Sequence, residues 1–373
     1  MKVICDRVAL VEALNIVTSA VALRTPKPVL TCIKLSAAGG CLTLTATDAE
    51  AALRLSTEKV DIEAEGEALI PADKFSQICR ESGDKMLAIE VKDDAASIRG
   101  DDSKFKVFGY PVGDFPSLPD VADLGKPDFT MDAGQIATLI ERTRFAIARE
   151  NSRYAINGVL MKRKAKKVEF VATDGRRLAL ARGTCSSVGE KGESQCIIPS
   201  KALNHLMKLT SNPEDKVAAY ITDSQVIFIV GQDGREAMLA TNLVEGSFPP
   251  YEDVIPKDLD KKVTFNLDTL ASAVRRAALL TNEESKGVRL AFSQGVLTIT
   301  SRAPEMGEAE VRVALAKYEG DDVEVGFNPT FITDALKVIH TEQIVFELKG
   351  PTKPGMIRAG NDFTYVLMPV SLN

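Results

Sequence analysis

His205 and His340 are the only imidazoles in the chain. Both fall in helix-like segments, and each reads as a helix-surface residue. A general base or a metal site needs partners that converge on it. Neither histidine has a cysteine or a second histidine at metal-site spacing. Cys5, Cys32, Cys41, Cys79, Cys185 and Cys196 form no CxxC pair. Several sit in apolar runs, where a thiol acts as a small hydrophobe. So few cysteines in so long a chain argue against a disulfide framework and for reduced thiols. Asp93-Asp94, Asp101-Asp102 and Asp321-Asp322 are acidic pairs beside strand ends. A hard cation needs several oxygens from spaced positions, so these pairs read as solvated turns. There is no phosphate-binding glycine loop and no nucleophile elbow. The strongest basic features are Arg176-Arg177 and the run from Lys162 to Lys167, which reads as a solvated hairpin tip between two strands. With no catalytic constellation, binding or scaffolding outranks catalysis, and no cofactor or metal is expected.

The elements that would position these residues repeat. Leu42–Asp48 reads as a strand ending in Thr-Asp, and Val168–Asp174 does the same 126 residues later. Val296–Ser301 follows after about 127 more. Ile70-Pro71, Ile198-Pro199 and Phe327-Asn328 each open an apolar helical run at nearly the same period. Several landmarks in one order at one period indicate a threefold repeat of a domain-sized unit.

Each unit begins with an amphipathic helix. Its apolar face carries Leu10, Leu14, Val17 and Val21, then Ile136, Ile140, Thr143 and Ile147, then Leu267, Leu270, Val274 and Ala278. Asp6, Asp132 and Asn266 stand where N-caps belong. Strands with turn signals follow, then a second helix (73–80, 201–209 and 330–339), then closing strands. The closing turns are Gly100–Asp102, Gln232–Gly234 and Lys349–Gly355. Proline-bearing stretches from Asp114 to Pro119 and from Gly246 to Tyr251 read as ordered linkers. The class is α+β. The expected domains are 1–127, 128–259 and 260–373, each with two helices on β-sheet.

The chain has 373 residues and a net charge of -6, which alone argues against nucleic acid. The distribution is less hostile. The helical segments, taken to include Arg24 and Arg149, carry twelve cations against eight acids. Gln135, Thr138, Arg142 and Arg149 share one polar helix face in this reading. Equivalent helices lining one surface would meet phosphates without reading bases. Ordinary solvated helices account for so small an excess equally well. No apolar run suits a membrane span, and the N-terminus reads as a strand, so a cytoplasmic protein is expected.

Specific residues carry a resemblance. Arg153–Gly158 followed by Ala172–Ala179 resembles the middle domain of bacterial sliding clamps, the beta subunit of DNA polymerase III. Gly246-Ser247-Phe248-Pro249 with Tyr251, Asn282-Glu283 before Gly287–Leu290, and the tail Tyr365–Val370 fit the same family. The resemblance covers the whole chain. It implies a non-catalytic processivity factor: a head-to-tail homodimer closed into a six-domain ring around duplex DNA. Its implied partners are the DNA polymerase III catalytic subunit, the clamp loader complex and other proteins bearing a clamp-binding motif.

The resemblance also implies residue roles. A partner-peptide groove would use Ile156, Thr173, Gly175, Arg177, Leu178, Pro249, Val254, Val366, Met368 and Pro369. Arg24, Arg149 and Tyr154 match DNA-facing positions. Phe105 and Val107, with Leu279 and Leu280, match the dimer interface, although such residues suit a core equally well. Some positions depart from the family pattern. Asp253 replaces a basic residue, Ala155 a larger aromatic and Glu150 an uncharged polar residue, and Ser371-Leu372-Asn373 ends the chain without the usual arginine. Two other readings are a hydrolase or transferase with an unrecognised site, and a three-domain scaffold that never touches DNA.

Overall fold

A computed structural model describes residues 1–149, 154–189, 192–231, 236–281 and 287–371. Glu150, Arg153, the turn Gln232–Gly234, Asn282-Glu283 and Leu372-Asn373 lie outside the described residues.

Six helices are present among them: α1 (Arg7–Val17), α2 (Ala72–Glu81), α3 (Ala133–Arg144), α4 (Ser200–Leu209), α5 (Leu267–Ala277) and α6 (Pro329–Lys337). They start where the repeat places them. The Asp6 carboxylate accepts the Ala9 amide, Asn266 accepts that of Thr269, and Asn328 that of Thr330, so three helices have side-chain N-caps.

The first-helix faces end earlier than their periodicity suggests. Val21 and Ile147 lie beyond the helices, and Ala278 is the C-cap of α5. Hydroxyl groups explain two of these stops. Thr18 Oγ1 donates to the Leu14 carbonyl at 2.6 Å, and Ser19 Oγ to Ile16 at 2.6 Å, which takes up carbonyls at the end of α1. Thr143 Oγ1 bonds the Leu139 carbonyl at 2.7 Å in the last turn of α3.

The chain divides into two compact units, Met1–Ala137 with Cys185–Leu243, and Thr138–Thr184 with Val244–Asn373. The first unit holds a five-stranded sheet whose edge is Lys104–Phe108. Its second sheet has nine strands. There Ala237–Asn242 pairs with Ala51–Thr57, Met238 opposite Arg54, so strands of two repeats share one hydrogen-bonded ladder. Helix α1 packs on α2 and on the strand Ala51–Thr57. Leu10, Leu14, Phe75, Leu42 and Leu44 are fully buried in this unit.

The second unit repeats the device. Arg177–Thr184 pairs with Phe363–Leu367, Leu178 opposite Val366, again joining strands of two repeats. A four-stranded sheet in the same unit has Gly307–Ala314 at its edge. Helices α5 and α6 pack together, and Phe292 stacks with Tyr318 and meets Phe265 and Phe346 edge-on in the core. The repeated strand landmarks fall at Cys41–Thr47, Lys167–Thr173 and Val296–Ala303, each antiparallel to the strand that follows it.

Three expectations are overturned, two of them by burial. Arg142 is only 7% exposed: it bonds Asp362 at 2.7 Å and lies over the Phe363 ring, so it does not share a solvent-facing stripe. Arg24 and Arg149 are exposed in loops, outside every described helix. The basic run does form an exposed hairpin tip at Lys164–Lys167, although Arg163 just before it is 1% exposed and Lys162 reaches Glu252 at 3.4 Å. His205 is 4% exposed, with Nδ1 3.1 Å from Ser19 Oγ. His340 does sit at the surface, 3.3 Å from Glu141. The helices as observed carry ten cations and six acids, so the modest positive excess persists.

Candidate functional site

The site is built around the turn that joins Lys167–Thr173 to Arg177–Thr184. Thr173 Oγ1 donates to the Arg177 carbonyl at 2.7 Å and accepts the Gly175 amide at 3.1 Å. Asp174 Oδ1 accepts the amides of Arg176 and Arg177 at 2.9 and 3.0 Å. Gly175 has φ +83°, a left-handed conformation that glycine adopts without strain. The Thr173 and Asp174 side chains therefore close the turn, and Gly175 takes its positive φ without strain.

Arg177 leaves the turn and ties three segments together. Its Nε bonds Asp174 at 2.9 Å and its Nη1 bonds Asp334 of α6 at 2.9 Å. Nη2 donates to the Phe145 carbonyl at 2.8 Å, just past α3. The guanidinium lies 4.5 Å from the Phe331 ring centroid and 5.4 Å from that of Phe145. Burial works against its charge, but the Asp334 bond and its neighbours outweigh this and raise its pKa. Arg177 is thus a structural tie whose donors are largely occupied, more than a free hand for a ligand.

A pocket of about 760 Å³ opens over this turn, wholly within the second unit. Ile156, Leu178 and Val366 form a buried apolar floor at 8%, 2% and 1% exposure. Val254 and Met368 are exposed at its rim, and Pro249, Thr173, Gly175 and Arg177 complete the expected set. Nine of the ten groove positions are therefore brought together. Pro369 does not line the pocket, because the tail after Met368 turns away: the Met368 amide bonds the Arg176 carbonyl, and that of Val370 bonds Gly326.

Arg149 and Tyr154, matched to DNA-facing positions, also line this pocket. Ala155 and Asp253 do not; Ala155 is buried against Gly246. Sequence reasoning missed Phe331 and Asp334 of α6 and the buried Tyr251. The Tyr251 hydroxyl bonds Glu169 at 3.1 Å, and burial with that carboxylate pushes its pKa up. In the sequence Tyr251 stands out only beside Gly246–Pro249 as part of the family resemblance, with no groove role attached.

The expected interface residues are surface groups, not core. Phe105 on the edge strand Lys104–Phe108 is 41% exposed, and Val107 is half-buried. Leu279, in the 3-10 turn after α5, is 73% exposed, and Leu280 is half-buried. No cluster of metal-ligating side chains occurs among the described residues.

Models of the DNA polymerase III beta subunit match in succession: the N-terminal domain over residues 1–119, the central domain over 130–250 and the C-terminal domain over 252–371. The chain belongs to the DNA polymerase III beta subunit family. The beta sliding clamp of Pseudomonas putida is 33% identical over 370 residues, covering 98% of this chain and 99% of that one. That of Escherichia coli K12 is 32% identical over 377 residues, covering 100% of both. Among solved structures, the DNA polymerase III subunit beta of Pseudomonas aeruginosa superposes with a TM-score of 0.91 at 32% identity. The sliding clamp of Bacillus subtilis does so with 0.93 at 27% identity, and both cover 100% of each chain. The beta subunit is the non-catalytic sliding clamp of the polymerase, so the missing catalytic constellation is a property of the family. No described helix is long and apolar enough to cross a membrane.

Proposed function

We propose that this chain is a DNA polymerase processivity factor that works as a ring around duplex DNA. Full-length membership of the beta clamp family carries the reading. In it, three domains, 1–127, 128–259 and 260–373, pair head-to-tail with a second copy. Heterologous contacts close into a ring when their rotation permits. The exposed Phe105, with Val107, on the edge strand Lys104–Phe108, and Leu279, with Leu280, in the 3-10 turn after α5, are the apolar patches such a contact would cover.

A closed ring stays on DNA by topology, so it needs little direct affinity. Weak phosphate contacts from Arg24, Arg149 and Tyr154 allow sliding, where strong ones would brake it. The pocket over Leu178 and Met368 supplies the tether. Its buried floor takes apolar anchors from the polymerase catalytic subunit, the clamp loader complex and other motif-bearing proteins. Tethering raises the local concentration of a polymerase, so modest affinity suffices. The reading places the protein in the cytoplasm and assigns it no cofactor.

The test is retention on circular DNA. Loaded by its clamp loader with ATP onto nicked circles, the chain should co-elute with DNA and be released when the circle is cut once. Equal retention on circular and linearised DNA would overturn encirclement.

A further inference from the structure

One large apolar side chain stands clear of every packed surface. Leu23 is 97% exposed, more than any other large apolar residue among the described ones. It lies next to Arg24, in the loop between the 3-10 turns Thr18–Ala20 and Pro28–Thr31. The loop is braced at its neck. The Ala22 amide bonds the Leu30 carbonyl at 3.0 Å, and Leu30 is buried. The Leu30 amide bonds the Lys27 carbonyl at 3.0 Å, and the Lys27 amide bonds Thr25 Oγ1 at 3.1 Å. Pro26 and Pro28 fix two further φ angles. Leu23 is therefore held out in water by an ordered loop, and little backbone freedom is lost when a ligand covers it.

The charges around it select the ligand. From Ala13 to Thr47 the chain carries Arg24, Lys27 and Lys34 and no acid. Lys34 is paired with Glu67 at 2.8 Å, whereas Arg24 and Lys27 are exposed and have no ion-pair partner among the described residues. An apolar tip beside two open cations suits a polyanion with an apolar interior. Duplex DNA has that arrangement, with phosphates outside and stacked bases within. Leucine is one of the side chains that enter a base step from the minor groove, and a guanidinium is drawn to the same groove. A lipid surface also sets anionic groups over an apolar layer, but a single leucine offers too little area to hold it.

We propose that Leu23 is a wedge that seats where the base stack of duplex DNA is interrupted. Prying apart an intact step costs unstacking energy, and a gap or an unpaired base has already lost that stack. On continuous duplex Leu23 gains nothing and leaves sliding unbraked. At a gap it covers the exposed base face, so the ring dwells there. The proposal rests on the reading of Arg24 as DNA-facing and adds the feature of the DNA that the tip selects.

The test uses the full-length chain at low salt with fluorescently labelled duplexes, one intact and one with a central single-nucleotide gap, read by anisotropy. A second gapped duplex carries 2-aminopurine beside the gap, which brightens when it is unstacked. The unmodified chain should bind the gapped duplex about three- to tenfold more tightly than the intact one, and brighten the probe. Leu23→Ser should bind the two duplexes equally and leave the probe unchanged, while Leu23→Met should keep both effects. Arg24→Gln should weaken both duplexes alike, and the loss should shrink as salt rises. If the unmodified chain shows no preference for the gap, the wedge is overturned. If Arg24→Gln weakens both duplexes and Leu23→Ser still prefers the gap, the DNA-facing reading stands and the wedge is overturned. If neither variant changes either affinity, the loop does not face DNA, and the reading and the proposal fall together. If Leu23→Ser keeps the gap preference but loses binding to phosphatidylglycerol vesicles, the tip meets lipid, which also overturns the proposal.

Discussion

Arg177→Met tests whether the pocket floor is held by one side chain. Methionine keeps an unbranched apolar stem but removes the guanidinium, with its charge and its donors. The change deletes bonds to Asp174, Asp334 and the Phe145 carbonyl, and the stacking on Phe331 and Phe145. Bonds involving a charged group contribute about 1.5–3 kcal/mol each before compensation. Breaking a fully buried ion pair costs about 3–5 kcal/mol, because a charge is stranded. Neither carboxylate is fully stranded here. Asp174 and Asp334 keep 19% and 23% exposure, Asp174 keeps two amides, and Asp334 keeps Lys337. The expected net loss is therefore lower, about 2–4 kcal/mol. Urea unfolding followed by far-UV circular dichroism would measure it. A double-mutant cycle with Asp334→Asn should give a coupling of about 1–2 kcal/mol, since Asp334 no longer needs the cation once it is an amide. A coupling under about 0.5 kcal/mol would refute the tie, whatever the single variants cost.

Two further outcomes are expected. His205 is buried and its pKa is lowered to about 4 by burial and then by Lys201 and Lys208, against a normal 6.5. The unfolded chain therefore takes up a proton first as pH falls, and stability drops below pH 6.5 until the folded form also protonates near 4. The loss between pH 7.5 and pH 5 is about 2 kcal/mol, and His205→Gln should flatten that slope; an unchanged slope would show that other groups carry it. Phe105→Asp changes a residue that is 41% exposed, so it should leave the unfolding midpoint nearly unmoved while light scattering shows a monomer. A dimer of unchanged mass would remove Phe105 from the interface.

Much of the fold was readable because the repeat is written in residue types that close turns and cap helices. Asp6, Asn266 and Asn328 act as caps, and the three strand landmarks fall in equivalent ladders. The burial of Arg142 and His205 shares one cause: partners distant in sequence. Arg142 is buried because Asp362 and Phe363 lie 220 and 221 positions away, and His205 because Ser19 lies 186 away. Local periodicity carries no information about such neighbours. The helix ends were misplaced for a different reason. Apolar residues continue past α1 and α3, while Thr18, Ser19 and Thr143 divert the carbonyls that would extend them.

The candidate site was legible where two repeats make the same turn with different residues. Thr47-Asp48-Ala49-Glu50-Ala51 and Thr173-Asp174-Gly175-Arg176-Arg177 have matching bonds. Thr47 Oγ1 donates to the Ala51 carbonyl, and Asp48 Oδ1 accepts the amides of Glu50 and Ala51. Thr173 and Asp174 do the same for their own turn. Even the positive φ recurs, at Ala49 (76°) and at Gly175 (83°). The backbone therefore does not distinguish the two turns. What distinguishes them is Arg176 and Arg177 in place of Glu50 and Ala51. One arginine is spent tying α6 and the end of α3 to the turn, which shapes the floor. The other is left at the mouth, where it can meet a ligand. A shared turn explains why Thr173 and Asp174 are present, and only the departure from it marks a site.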